Sequence, residues 1–470
     1  MATTTLDKSN KDTFLAAFDQ FERGTADAPA WLAAIRKSAI SRFGDLGFPT
    51  TRHEQWRFTN VSSQTSTEYS PAEHAGRTVT PEQYSEITEW DAGFPRMVFV
   101  NGRYAADLSS MAGLPDGVRA CSLAEAITSD RAVVESHLGK YAKFENEAFT
   151  ALNTAFMADG LFLHVPKGVV IENPIHAVFV TTTGDRPLVT HPRNLIVAEK
   201  QSQLTVVESY CGYGDSPYFT NTVTEIVAAD GAVVDHYKIQ REGPAAFHKC
   251  DLTVQQFRSS NVSSDVINLG GRLVRNDMNA RLDGEGAESM LNGLTVLRDE
   301  QHVDNHLQVD HLKPHCNSWE YFKGVYDDRS RGVFSGRILV AEGAQKTDAK
   351  QSNMSLLLSE EALVDSKPQL EIFANDVKCT HGATIGQIDD EAVFYLQSRG
   401  LDRGAARSLL TYAFAGESVG QIRIDPLREQ MQTLLFTRLP HGELLKFGRP
   451  YAYSRDHSER VRSTDRRRET

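Results

Sequence analysis

Cysteine is scarce in this chain of 470 residues. There are five, Cys121, Cys211, Cys250, Cys316 and Cys379, and no CxxC pair among them. An odd number at wide spacing excludes a disulfide framework and a self-contained four-cysteine zinc or iron–sulfur site of recognisable spacing. Basic charge is also in deficit. Lysine and arginine number 50 against 62 acidic residues, a net charge of −12, and phosphate recognition needs a basic surface. Nucleic acid and anionic membrane are therefore not expected partners. No stretch approaches a membrane-spanning length, and the opening "MATTTLDKSNKDTFLAAF" has no apolar signal core, so the expected compartment is the cytoplasm. The usual catalytic signatures are missing too. There is no GxxxxGK[ST] loop, no GxGxxG after a strand and no HExxH. The "VPKGV" run lacks the spacing that wraps backbone amides around a phosphate, so any ATP must come with a partner.

What is present is material for a large folded core. With 40% hydrophobic and 24% charged residues, the chain reads as one large domain with appendages, or as two or three domains. In the first fifty residues Phe14, Leu15, Phe18 and Phe21 recur at helical spacing, as do Trp31, Leu32 and Ile35. "GFPTT" breaks that pattern, and "RHEQWRFTN" reads as an extended stretch. "RMVFVNGRY", 96–104, predicts two short strands around an Asn-Gly turn, and helical signals return from about Ser122 to Phe156.

From about Gly160 to Gln387 alternating β-branched and polar runs dominate, among them "QLTVVES", "TNTVTEIVA", "KCDLTVQQF" and "GVFSGRILV". Short turns with small residues separate them, and "ADGAVV", "GEGAES" and "AEGAQK" look alike. Their loose interval, roughly 25 to 30 residues or a multiple of it, suits a strand solenoid whose coils stack on one another. Spacing alone leaves a sandwich equally open. The closing part predicts helices. "DDEAVFYLQSRG" ends with Gly400 as the C′ residue. Asp402 caps "RGAARSLLTYAFA", with Ala406, Leu409, Leu410, Ala413 and Phe414 as its apolar face. "DPLREQMQTLLFTRL" carries Pro426 in its first turn. The arginine-rich end, "SRDHSERVRSTDRRRET", reads as a solvated tail.

Two stretches carry candidate ligands. In "NDVKCTHGATIG", 375–386, Cys379 and His381 stand two apart, so on a strand they share one face. A thiolate beside a neutral imidazole suits zinc, iron or a sulfur-bearing cluster, but two ligands do not close a site, and further ligands must come from elsewhere or from another chain. Against this, free cysteine packs as a small hydrophobe, and spacing alone favours that reading. In "DEQHVDNHLQVDHLKPHC", His302, His306, His311, His315 and Cys316 crowd together without a ligand signature, and hydrogen bonding along a polar ladder is the better account.

Several long blocks resemble a known family, the SufB/SufD component of the iron–sulfur cluster assembly machinery. They are "RHEQWRFTN" (52–60), "FTALNTAFMADGLFLHVPKGVVIENPI" (149–175), "DNHLQVDHLKP" (304–314), "YFKGVYDDRSRGVFSGRILVAEGAQKTDAKQSNMSLLLS" (321–359) and "VDSKPQLEIFANDVKCTHGATIGQIDDEAVFYLQSRGL" (364–401). The resemblance implies a mainly β fold, a right-handed parallel β-helix over 159–388, flanked by an α-rich region, 1–158, and a C-terminal helical region, 389–454, with a flexible tail, 455–470. It implies a scaffold rather than an enzyme. SufB pairs through its β-helix, the SufC ATPase docks on the C-terminal helices and brings the ATP, and an iron–sulfur cluster is held transiently by the complex rather than stably by this chain. Gly382 after His381, where SufB has a glutamate, is similar to the SufD branch. There His381 is a candidate ligand of the nascent cluster at the SufB interface, with Cys379 beside it. A homodimer is a further expectation when partners are missing. Two rivals remain, a SufB-like scaffold that accepts sulfur itself and a β-helix enzyme acting on polysaccharide.

Overall fold

The computed structural model describes residues 6–71 and 79–439. The expected tail and residues 440–454 of the expected helical region lie outside them. The chain divides after Gln387 into two compact units.

From Leu161 to Gln387 the strands do not pair with their sequence neighbours. Each pairs in parallel with a later strand, two further on through most of this stretch, so the chain winds as a solenoid with two facing ladders. One ladder runs Leu161–Val165, Arg193–Ala198, Tyr218–Ala228, Ala246–Gln256, Leu273–Leu282, His302–His311, Arg331–Val340 and Leu363–Ile372. The other runs Arg96–Val100, Ile175–Thr182, Gln203–Tyr213, Val233–Arg241, Asn261–Asn268, Glu288–Leu297, Asn317–Tyr326, Asp348–Leu357 and Lys378–Gln387. That parallel pairing decides between the two architectures spacing left open, because a sandwich is built from antiparallel neighbours. Alternate residues of both ladders point inward, and Ile226, Leu252, Met278, Leu307, Ile338, Val234, Val262, Leu291 and Phe322 form one continuous core.

The recurring turns have a steric cause. Just before six strands of the second ladder a residue adopts a left-handed conformation: Gln201, Gly231, Ser259, Gly286, His315 and Lys346. The residue that follows is small and packs inside the corner: Ser202, Ala232, Ser260, Ala287, Cys316 and Thr347. Glycine meets the positive φ without strain at 231 and 286, which is why the turns look alike in sequence.

Helices Leu6–Gly24 and Ala30–Leu46 cover the first coils. Phe14, Phe18 and Phe43 pack with Phe48, Trp56 and Phe149 in an aromatic cluster that extends to Phe219 and Phe247 on the solenoid. The short helices Leu123–Ser129, Arg131–His137 and Ala148–Phe156 follow. Arg96–Val100 and Arg103–Tyr104 pair antiparallel around Asn101-Gly102, as expected, but the first of them also joins the solenoid beside Ile175–Thr182. "RHEQWRFTN" departs from the extended reading. Glu54–Trp56 is a 3-10 turn that lays Trp56 over the Arg275 guanidinium, 3.9 Å from the ring centre. Arg275 in turn holds Asp304 at 2.8 Å and donates to the Gln55 carbonyl at 2.7 Å. A contact across more than 200 residues sets this conformation, not local propensity.

The second unit holds helices Asp390–Gln397, Arg403–Gly420 and Asp425–Arg438. Asp402 caps the second by accepting the Ala405 amide at 2.9 Å, and Pro426 sits in the first turn of the third. Two details differ from expectation. The first helix ends at Gln397 with Ser398 as its cap, so Gly400 lies one residue beyond C′. The buried side of the second helix is Ala405, Ala406, Ser408, Thr411, Ala415 and Val419, whereas Leu409 and Ala413 of the predicted apolar face are exposed. Among the described residues no helix is long and apolar enough to cross a membrane.

Candidate functional site at the open end of the solenoid

Each coil but the last is covered by its successor. Strands Leu363–Ile372 and Lys378–Gln387 stand at the ends of their ladders, and hardly any residue of either is buried. Leu363, Ile372, Phe373 and Ile385 are large apolar side chains left exposed on this one coil. An uncovered ten-residue edge offers a row of unpaired backbone donors and acceptors as a template for another strand.

Cys379 and His381 lie on Lys378–Gln387, two apart and on one face. The register sets Cys379 beside Ala349 and His381 beside Gln351. Cys379 is half-buried against the solenoid core, so the shared face is the inner one, and the pair lines the mouth of the lumen rather than the outer wall. His381 is exposed. Burial pushes the Cys379 thiol up from its ordinary range, and the nearby carboxyls of Asp348 and Glu320 act in the same direction. Both effects favour the protonated thiol over the thiolate.

Beneath this mouth lies a polar floor that sequence reasoning missed. Gln351, directly next to His381 in register, is buried and donates its side-chain amide to Glu320 Oε2 at 3.2 Å. One coil further in, His311 Nε2 and Ser318 Oγ are 3.0 Å apart. Polar residues at inward positions break the apolar alternation and so resemble solvent-facing ones in sequence. Only the register reveals that Gln351 and Glu320 stack under a candidate ligand.

The second histidine group does not form a metal centre. His302 meets Thr59 Oγ1 at 3.0 Å and His306 meets Asp304 Oδ1 at 3.0 Å, both on the face that bears the Trp56 turn. His311 points into the lumen, His315 is a left-handed turn residue, and the Cys316 thiol donates to the Gly284 carbonyl inside the corner. Among the described residues no three His, Cys, Asp or Glu side chains are grouped to hold a metal ion. Cys379 and His381 therefore stand as a candidate pair with no third such side chain grouped beside them among the described residues.

A serine–histidine–aspartate chain also appears, without any sequence signature. His176 Nδ1 lies 2.5 Å from Asp91 Oδ2, and its Nε2 lies 2.8 Å from Ser209 Oγ. All three are buried, and Arg96 pairs with Asp91 as well. No substrate reaches a serine sealed in this way. The chain ties the Asp91 segment to two solenoid strands.

Comparison with known proteins bears on the whole chain. A family model for the SUF system FeS cluster assembly SufBD core domain matches residues 179–414, and one for the SufBD protein N-terminal region matches 8–177. A SufBD family iron–sulfur cluster assembly protein of Synechocystis is 33% identical over 423 residues, covering 88% of this chain and 92% of its own. The iron–sulfur cluster assembly protein SufD of Escherichia coli is 31% identical over 398 residues, covering 84% and 90%. SufD of Bacillus subtilis is 28% identical over 417 residues, covering 87% and 94%. The two family models together match most of the chain, which belongs to the SufBD family of iron–sulfur cluster assembly proteins.

Proposed function

We propose that this chain is a SufD-type scaffold subunit, not itself a catalyst, that works in the cytoplasm. It pairs with a SufB-type partner through the open end of its solenoid and presents His381, with Cys379 beside it, to a nascent iron–sulfur cluster. The partner supplies the remaining ligands. The observation that carries this reading is the uncovered last coil, where two bare strand edges, four exposed apolar side chains and the two soft-metal donors coincide. Incomplete ligation within one chain suits a cargo that must leave, because a closed site would retain it.

The C-terminal helices dock a SufC-type ATPase in this reading. Phe394, Tyr395 and Leu409 are exposed there, more apolar surface than a short helical unit usually leaves to water. The same assignment accounts for the missing phosphate-binding loop, since ATP resides on that subunit. Direct sulfur acceptance by this chain is disfavoured by its thiols. Burial raises all five, Cys121 to about 12, and a persulfide acceptor needs a thiolate.

The test is His381→Ala in the complete complex. Subunit association, read by size-exclusion chromatography, is expected to be unchanged, and cluster yield, read by visible absorbance after anaerobic reconstitution, is expected to fall several-fold. A normal yield overturns the ligand role.

A further inference from the structure

The floor under His381 has an unusual property. Gln351 is 3% exposed, its amide nitrogen is committed to Glu320, and its carbonyl oxygen Oε1 is buried with no hydrogen-bond partner among the described residues. Leaving a buried amide oxygen unpaired costs on the order of 1–3 kcal/mol, so the position asks for a donor. The next residue in the same inward column is His381, one strand spacing away, about 4.8 Å. The site for the Gln351 carboxamide is also built from the opposite ladder. Gly336 faces it there, and a Cβ at that position would overlap the amide.

We propose that Gln351 is the positioning residue for His381. Its Oε1 accepts the N–H of one imidazole nitrogen, which leaves the other nitrogen unprotonated and turned toward the partner as the ligand atom. Imidazole binds a metal only through a bare nitrogen, and the group on the far nitrogen decides which one is bare and where the ring points. Glu320 braces the arrangement by holding the amide nitrogen, so the carboxamide presents oxygen rather than nitrogen to the ring. Gly336 keeps the necessary space open. The inference rests on the reading of His381 as a cluster ligand, but its geometry is testable without a cluster.

The experiment measures the tautomer of His381 in the full chain labelled with nitrogen-15. Long-range proton–nitrogen correlations are recorded at about pH 8, where an ordinary imidazole is neutral. The His381 signals are identified by their loss in His381→Ala. In the wild type one ring nitrogen is expected to carry the proton almost exclusively. In Gln351→Leu the ratio of the two tautomers is expected to relax several-fold toward that of free histidine. Gln351→Glu combined with Glu320→Gln, which exchanges the two side chains and keeps both the brace and an acceptor in place, is expected to retain the wild-type ratio, and Gly336→Ala, which displaces the carboxamide, to behave like Gln351→Leu. The signals of the other histidines report whether each variant is folded. An unchanged ratio in folded Gln351→Leu overturns the proposal. Should that variant not fold, an unchanged ratio in Gly336→Ala overturns it equally. A tautomer that responds as expected, beside a normal cluster yield in His381→Ala, would sink the ligand reading and leave the hydrogen bond standing. An unresponsive tautomer beside a lost cluster yield would do the reverse.

Discussion

Glu320 gives the solenoid a measurable pH dependence. Its carboxyl is 1% exposed, and burial pushes it from the ordinary 4.5 up to about 7, although Ser318 and Gln351 pull the other way. The native state thus holds this proton more tightly than the unfolded chain does. Below about pH 4.5 both states are protonated and the group costs nothing. As pH rises through the window from about 4.5 to about 7 the unfolded chain releases its proton first, and stability falls. At 1.36 kcal/mol per unit the full loss is about 3 kcal/mol, complete above about pH 7. Glu320→Gln removes the titration and keeps a polar group against Gln351. Urea unfolding of both proteins is followed by tryptophan fluorescence from pH 5 to pH 8. The stability difference is expected to shift in favour of Glu320→Gln by about 2 to 3 kcal/mol across that range. Glu147, also pushed up to about 7, titrates in both proteins and cancels. A difference that stays flat with pH, or moves the other way, refutes the reasoning.

Arg193 and Glu225 form a fully buried pair at 2.6 Å, and Glu225 also accepts the amides of Gly139, Tyr141 and Ala142. Arg193→Met strands that carboxylate and is expected to cost about 3–5 kcal/mol in urea unfolding, with much of the loss recovered when Glu225→Gln is added. Asp402→Ala removes the cap of Arg403–Gly420 and is expected to destabilise the C-terminal unit by about 1 kcal/mol, read by hydrogen exchange of that helix. Ile385→Asp on the open edge is expected to leave the stability of the free chain within about 0.5 kcal/mol while weakening association with a SufB-type partner at least tenfold by titration calorimetry.

The helices and the strand-rich core were legible in sequence because they rest on local periodicity. Phe14 and Phe18 do face a core, and Asp402 does cap. What was not legible depends on partners far along the chain. Trp56 leaves the extended conformation for a turn because Arg275 waits 219 residues later to receive its ring. The apolar face assigned to Arg403–Gly420 was misplaced because small residues, Ala405, Ser408 and Ala415, permit close helix packing where larger ones do not. At the site, the two-residue spacing of Cys379 and His381 announced a shared face, but not that the face turns into the lumen. That direction follows from the register with Ala349 and Gln351, which parallel pairing fixes between strands about 30 residues apart.

The inward column that ends in His381 shows why chemistry gathers in the last coil. Read from the first coils, neighbouring strands place Val206, His236, Ser264, Leu291, Glu320, Gln351 and His381 in succession at one position of the fold. Two of these are histidines, and they differ both in what lies below, Val206 against Gln351, and in what lies above. His236 is covered by the following coil, meets Ser264 Oγ at 2.9 Å and lies 3.5 Å from Glu208. It is fully buried inside the fold. His381 has Gln351 below it and, among the described residues, no following coil above. In the function proposed above, this end position is what lets His381 offer one nitrogen to a second polypeptide. Adding one more coil by insertion after Gln387 should therefore abolish cluster formation while leaving His381, Cys379 and the solenoid's own stability intact. Cluster yield that survives such a cap would show that the donors act from somewhere other than the open mouth.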